Sequence, residues 1–173
     1  MEYLEVLDEH GNLIGNKKLR EEIHRDGDWH KTVHIWIMNE NKEFLVQRRS
    51  LNTSSPNKLD ISCAGHLKPD ETSIKGAIRE LKEELNIEVK EDDLKFINTL
   101  KRRSDLRENY DNREFTDLYT LHTNLSVEEM TFQKEEMTEI IYVSYEKFKE
   151  IVQNRKLLSE EDFNIVFEKV RTL

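Results

Sequence analysis

At 173 residues, 36% charged and 36% hydrophobic, the chain suits one domain, with a compact core under a heavily charged surface. A formal charge of −9 excludes a general binder of nucleic-acid polymer or anionic membrane; a polyanionic small substrate would need a divalent cation or a local group of Lys and Arg. Cys63 is the lone cysteine, so no intrachain disulfide is expected, which fits a reducing, cytoplasmic setting.

Residues 1–11 carry neither a basic n-region nor an apolar run, so no signal peptide is expected. No window approaches the ~18 apolar residues of a membrane span. Loose alternation over residues 3–7, a turn at Asp8-Glu9-His10-Gly11 and a return over 12–14 predict an N-terminal hairpin extension, about residues 1–16. A short helix is expected over 18–25, ended by Gly27. Residues 32–38 are β-branched and aromatic and predict a strong strand, with Trp36 in the core; a turn at 39–42 leads to a return strand over 44–48. Residues 50–58 read as a loop, and 59–63 as a short strand running into Ala64-Gly65-His66. A helix follows over 73–85, with Ser73 as its N-cap and Asn86 as a left-handed stop. Strands are expected over 94–100 and 115–122, joined through a polar, mobile connection over 103–113. A strand over 138–143 and helices over 145–153 and 159–170 complete the chain. Strands alternating with helices predict an α/β domain with helices packed on a sheet.

The helix over 73–85 carries the chemistry. At about 100° per residue, Ile74, Ala77, Ile78, Leu81 and Leu85 share one stripe, which must face the core. Glu80, Glu83 and Glu84 stack on another face, where like charges cost about a few tenths of a kcal/mol per pair. Two readings are open at this point: a solvated face relieved by Arg79 and Lys82, or a site for a hard cation such as Mg²⁺, which takes carboxylates and substrate phosphates. Gly76, one turn before Glu80, is either tolerated there or needed for close approach of the preceding loop or a ligand.

Gly65, Glu71, Arg79-Glu80-Leu81-Lys82-Glu83-Glu84 and Asn86-Ile87 stand at the spacing of the Nudix box, and residues 65–87 resemble it over its whole length. Asn86 departs from the usual glycine, but Asn is the next best residue for positive φ. The resemblance implies a Nudix fold, a mixed β-sheet sandwiched between helices, with residues 1–173 as a single Nudix domain. It implies a hydrolase that cleaves a diphosphate linkage in a nucleoside diphosphate derivative or similar organic pyrophosphate. Carried over by position, Glu80, Glu83 and Glu84 would hold Mg²⁺, with Mn²⁺ as a substitute, and the Gly65 carbonyl would add a ligand. Arg79 would orient a box carboxylate with Glu71 as its loop partner. Metal ions neutralise the diphosphate and activate a water, and a carboxylate then serves as general base. Glu83 is the first candidate for that base, with Glu114 and Glu136 as alternatives. Arg48, Arg49 and Lys68 are candidates to meet phosphate oxygens, and Trp29 and Tyr119 to stack on a base. Specificity would sit in residues 50–58 and 103–113. The partner implied is a small-molecule diphosphate, and homodimers are frequent in the family.

The N-terminal half is also similar to a Nudix offshoot, the type I isopentenyl-diphosphate isomerases, through residues 24–30 and 33–37. His30, His66 and Glu114 fall where that family places metal ligands, and His24 lies one residue short of another. His24 and His34 read more readily as structural residues. The isomerases need a cysteine immediately before the Gly-His pair, where this chain has Ala64; Cys63 precedes it by one and should point to the opposite face. Hydrolysis is therefore the expected chemistry, with isomerisation and silent nucleotide binding as the alternatives.

Overall fold

The computed structural model describes every residue except Ser54 and the side chains of residues 104–107. Among the described residues the order is β1 (Tyr3–Leu7), β2 (Leu13–Leu19), α1 (Arg20–Asp26), β3 (Trp29–Met38), β4 (Phe44–Arg49), β5 (Leu59–Ile61) and β6 (Cys63–His66). It continues with α2 (Ser73–Leu85), β7 (Leu94–Arg107), β8 (Tyr110–His122), β9 (Met137–Val143), α3 (Tyr145–Asn154) and α4 (Glu160–Arg171). No helix among them is long and apolar enough to cross a membrane.

β3 organises the sheet. It runs parallel to β8 from Trp29↔Arg113 to Met38↔His122 and antiparallel to β1, β4 and β6, so the sheet is mixed as expected. Side chains alternate along it. Val33, Ile35 and Ile37 pack with Ala77, Leu81 and Leu85 of α2 on one face. Trp36 and Met38 pack with Phe148 and Phe167 of α3 and α4 on the other. Helices thus cover both faces, and the apolar stripe expected for α2 is the one that is buried. Gly27 and Asn86 end α1 and α2 in the left-handed conformation, at φ 69° and 55°.

Four local expectations need correction. The strand expected over 59–63 is two strands, because Ser62 leaves the ladder. Its buried hydroxyl donates to the Leu45 carbonyl at 2.6 Å and accepts the Ile37 amide at 3.0 Å, joining β3 to β4 just where they part. The connection expected over 103–113 is instead the end of a long β7–β8 hairpin. Charged residues hid its strand character; Asp111 draws in Arg103 and Arg113 from the two strands at 2.7–2.9 Å. Ser73 does not cap α2: the N-cap is Thr72, and the Ser73 hydroxyl meets that of Tyr119 at 2.6 Å. The N-terminal hairpin runs on to Leu19, three residues beyond the expected end near 16.

Leu81 is fully buried between α2 and β3. Leu81→Ala should lower unfolding free energy by about 2–5 kcal/mol. Leu51→Ala, at 71% exposure, should stay within about 0.5 kcal/mol of the parent. Urea denaturation of both variants checks the placement of the α2 stripe.

Candidate active site

β3 and β4 pair at Met38↔Phe44 and then take other partners, β6 and β9, so a cleft opens between them. An open cavity of about 930 Å³ occupies it, within the usual span of small-molecule sites. Glu80, Glu83 and Glu84 line one end with Gly65, Lys68 and Glu136.

Gly65 decides how close the helix comes. A Cβ there would lie 2.0 Å from Glu80 Oε1, so only glycine admits that carboxylate against β6. At Gly76 a Cβ would lie 2.2 Å from Leu67, so of the readings open for this glycine the structure favours close approach of the preceding loop. Arg79 fixes the rest: Nε and Nη2 donate to the two oxygens of Glu71 at 2.9 Å, and Nη1 donates to Glu80 at 2.7 Å and Glu83 at 3.0 Å. Nη2 also donates to the His66 carbonyl at 2.9 Å. Arg79 is therefore an orienting residue with Glu71 as its loop partner.

The three box glutamates differ. Glu80 and Glu84 are buried, whereas the Glu83 side chain is 46% exposed on the rim, with Lys68 Nζ 3.3 Å from its carboxylate. Burial pushes the Glu84 carboxyl up to about 8, helped by Glu136 and Glu80, although the Cys63 thiol and the Ala64 amide lie in hydrogen-bonding reach. Burial raises Glu80 as well, against the pull of Arg79. Glu84 Oε2 is buried with no partner among the described residues. A buried acceptor without a donor, beside carboxylates of like charge, fits a site for an oxygen-seeking divalent cation.

A second cluster lies on the cavity face of the sheet. His30 and His34 of β3, His66 of β6 and Glu114 of β8 share that face through the pairs His30↔Glu114 and Thr32↔His66. α1 adds His24, which read as a structural residue from the sequence and here is buried beside the other imidazoles. The nitrogens of His24, His30 and His66 lie within 4.8 Å of one another, the one such group of three among the described residues. The three Nε2 atoms are buried without partners, and the His30 Nδ1–H donates to the Asp28 carbonyl at 3.2 Å, leaving its Nε2 as an acceptor. Burial pushes His24 down to about 4 and lowers His30 and His66 too, so all are neutral at pH 7, the form that binds metal. Burial raises Glu114, but Arg102, 3.4 Å away, and the imidazoles outweigh it and hold this carboxyl well below its usual range.

The remaining sequence candidates divide. Arg49 and Lys68 line the cleft. Arg48 does not; on a strand its side chain points the other way, and it pairs with Glu139 at 2.8 Å on the outer surface. Trp29 packs on Phe115 with ring centres 5.1 Å apart, and Tyr119 is buried in the α2 core, so neither offers a stacking face in the cleft. Cys63 points into the α2 side and Ala64 lines the cleft. Arg20, Arg102 and Tyr110 line the cleft system without having been singled out. Only the pairing of Arg102 with Glu114 across β7 and β8 could have signalled one of them.

The NUDIX domain model matches residues 28–165. An uncharacterized Nudix hydrolase of Clostridium acetobutylicum is 35% identical over 158 residues, covering 89% of this chain and 75% of that protein. Nudix hydrolase 3 of Arabidopsis thaliana is 38% identical over 166 residues, 93% of this chain but 21% of that much longer protein. An isopentenyl-diphosphate delta-isomerase of Streptomyces griseus is 32% identical over 85 residues, 49% of this chain and 43% of its own length. A crystal structure from Deinococcus radiodurans superposes with a TM-score of 0.66 at 23% identity, over 88% of this chain and 90% of that one, a likeness of fold.

Glu84 ionises near 4.5 when unfolded and near 8 when folded. Above about pH 7 the buried histidines, whose values lie below the usual imidazole range, are neutral folded and largely so unfolded, while the folded state still holds the extra proton on Glu84, so the stability of metal-stripped protein should fall as pH rises from about 7 to 8. Glu84→Gln should flatten this slope. Urea midpoints at the two pH values read it, and an unaltered slope in the variant would show that Glu84 is not the group.

Proposed function

The chain belongs to the Nudix family, and from that membership we propose that it hydrolyses the diphosphate linkage of a nucleoside diphosphate derivative or similar organic pyrophosphate, with Mg²⁺ as the working ion. The observation that carries the proposal is the partnerless, buried Glu84 oxygen beside Glu80, in a pocket that only Gly65 leaves open. Glu80 and Glu84 would hold the ion, with the Gly65 carbonyl and Glu83 completing the set; Mn²⁺ would serve in the same place. When bound, the ion neutralises the charge of the diphosphate. Glu83, half-exposed and steered by Arg79 and Lys68, would take the proton of the attacking water. Lys68 would meet the oxygens of the cleaved diphosphate, and Arg49, which lines this cleft and also the cavity beyond it, those of a phosphate further along. Residues 1–173 act as one domain, with the N-terminal hairpin joined to β3 through Leu7↔Trp29.

The histidine cluster supports a second ion. Three neutral imidazoles favour a transition metal over Mg²⁺, with Glu114 close by to balance its charge. The isomerase reading shares this cluster but lacks its thiol, since Ala64 lines the cleft and Cys63 is shut behind the sheet. A silent nucleotide binder would have no use for a rim carboxylate such as Glu83.

Incubation of diphosphate compounds with Mg²⁺ should release phosphate or a monophosphate. Glu83→Gln should lower kcat by about 10²–10⁴-fold even at saturating Mg²⁺, with metal uptake weakened but not lost, whereas Glu84→Gln should lose the metal itself. No cleavage of any diphosphate compound with Mg²⁺ or Mn²⁺ would overturn the proposal. Elemental analysis should find one transition-metal equivalent, retained by Glu84→Gln and lost from His30→Ala; equal contents in the two variants would rule out the second site.

A further inference from the structure

Beyond the acidic end the cleft continues into a second cavity of about 580 Å³, which shares His34, Arg49, Glu84 and Glu114 with the first. Its far corner is cationic, in a chain of formal charge −9. Arg49 at the end of β4 meets Arg155 and Lys156, the residues that follow α3.

Asp60 of β5 organises the corner. Its Oδ2 accepts from Arg155 Nη2 at 2.8 Å and from Arg49 Nη1 at 3.4 Å, while its Oδ1 accepts the Ile61 amide at 2.9 Å. One carboxylate therefore serves two guanidiniums, and the Nε atoms of both have no partner among the described residues. Of the other carboxylates of this cavity, Glu84 and Glu136 lie close enough to repel each other at the acidic end, and Glu114 pairs with Arg102. Three cations thus face one carboxylate. Lys156 adds a further sign, because it stands at φ 52°, a conformation that glycine adopts more readily.

A carboxylate ligand would leave positive charge over in this corner. A phosphomonoester carries about −1.5 to −2 at neutral pH and matches the surplus, and guanidinium forks suit its oxygens. We infer that this corner receives a phosphomonoester carried by the substrate, remote from the diphosphate that is cleaved. The inference rests on the hydrolase reading for what lies at the acidic end. It narrows the substrates to diphosphate compounds bearing one more phosphate.

Two pairs of compounds differ by one phosphomonoester: NAD⁺ with NADP⁺, and dephospho-coenzyme A with coenzyme A. Calorimetric titration of the metal-stripped protein should show the phosphorylated member of at least one pair binding about tenfold tighter, about 1.4 kcal/mol. Arg155→Gln and Lys156→Gln should each remove most of that preference and leave the affinity for the unphosphorylated member as it was. Lys156 is exposed, so its variant folds even if loss of the Asp60 pair harms the other. Equal affinities within both pairs, or a preference that Lys156→Gln retains in full, would overturn the inference. Failure of Mg²⁺-dependent cleavage would instead sink the hydrolase reading and leave the pairwise affinities unchanged.

Discussion

Arg79 places its N–H groups on acceptors from three parts of the chain: Glu71 in the loop before α2, Glu80 and Glu83 in the helix itself, and the His66 carbonyl at the end of β6. The helix could not otherwise present several carboxylates to one spot, because their mutual repulsion would turn them toward water. The guanidinium is itself largely buried, and a buried charge of this kind persists only with its partners in place. Strand, loop and helix are therefore held in one arrangement by the same group that tempers the acidity of the site.

The second determinant is the alternation of β3. Back from Met38 toward its start the strand leaves its hairpin partner, and the positions on one face change from the buried Trp36 to His34, Thr32 and His30. Apolar side chains close the sheet against α3 and α4 at one end, and imidazoles with Glu114 line it at the other. The acidic helix reaches the cleft from the opposite face, through the gap left by Gly65. Two groups of potential ligands thus meet at β6 from the two sides of a single strand, with Cys63 and Gly65 turned one way and Ala64 and His66 the other.

What was readable in the sequence is what is local. The box lies in one continuous stretch, so its glutamates, its arginine, its loop glutamate and the left-handed Asn86 all could be placed from spacing. Trp36 and the α2 stripe were readable because hydrophobic periodicity survives in a highly charged chain. The β7–β8 hairpin was not: its outer half is held by ionic pairs across the strands, and charges in a row look like a loop until the register is known. His24 looked structural because the helix that carries it joins β3 and β6 only in three dimensions. Arg155 and Lys156 had no signal, since they follow an ordinary amphipathic helix and acquire meaning only where that helix ends. Arg48 and Arg49 were equivalent as neighbours in sequence, and strand alternation separates them.

Ser62 bears on how such a cleft can change. Its hydroxyl serves one backbone donor on β3 and one acceptor on β4 at the point of divergence, in a place with no access to water. Together with the Met38↔Phe44 pair, this one oxygen ties the two halves of the sheet at the point where they part. Shape at the mouth can then change through the loops on either side, while this tie keeps the acidic end aligned. A lineage could exchange one substrate for another in this way without disturbing the chemistry that cuts it.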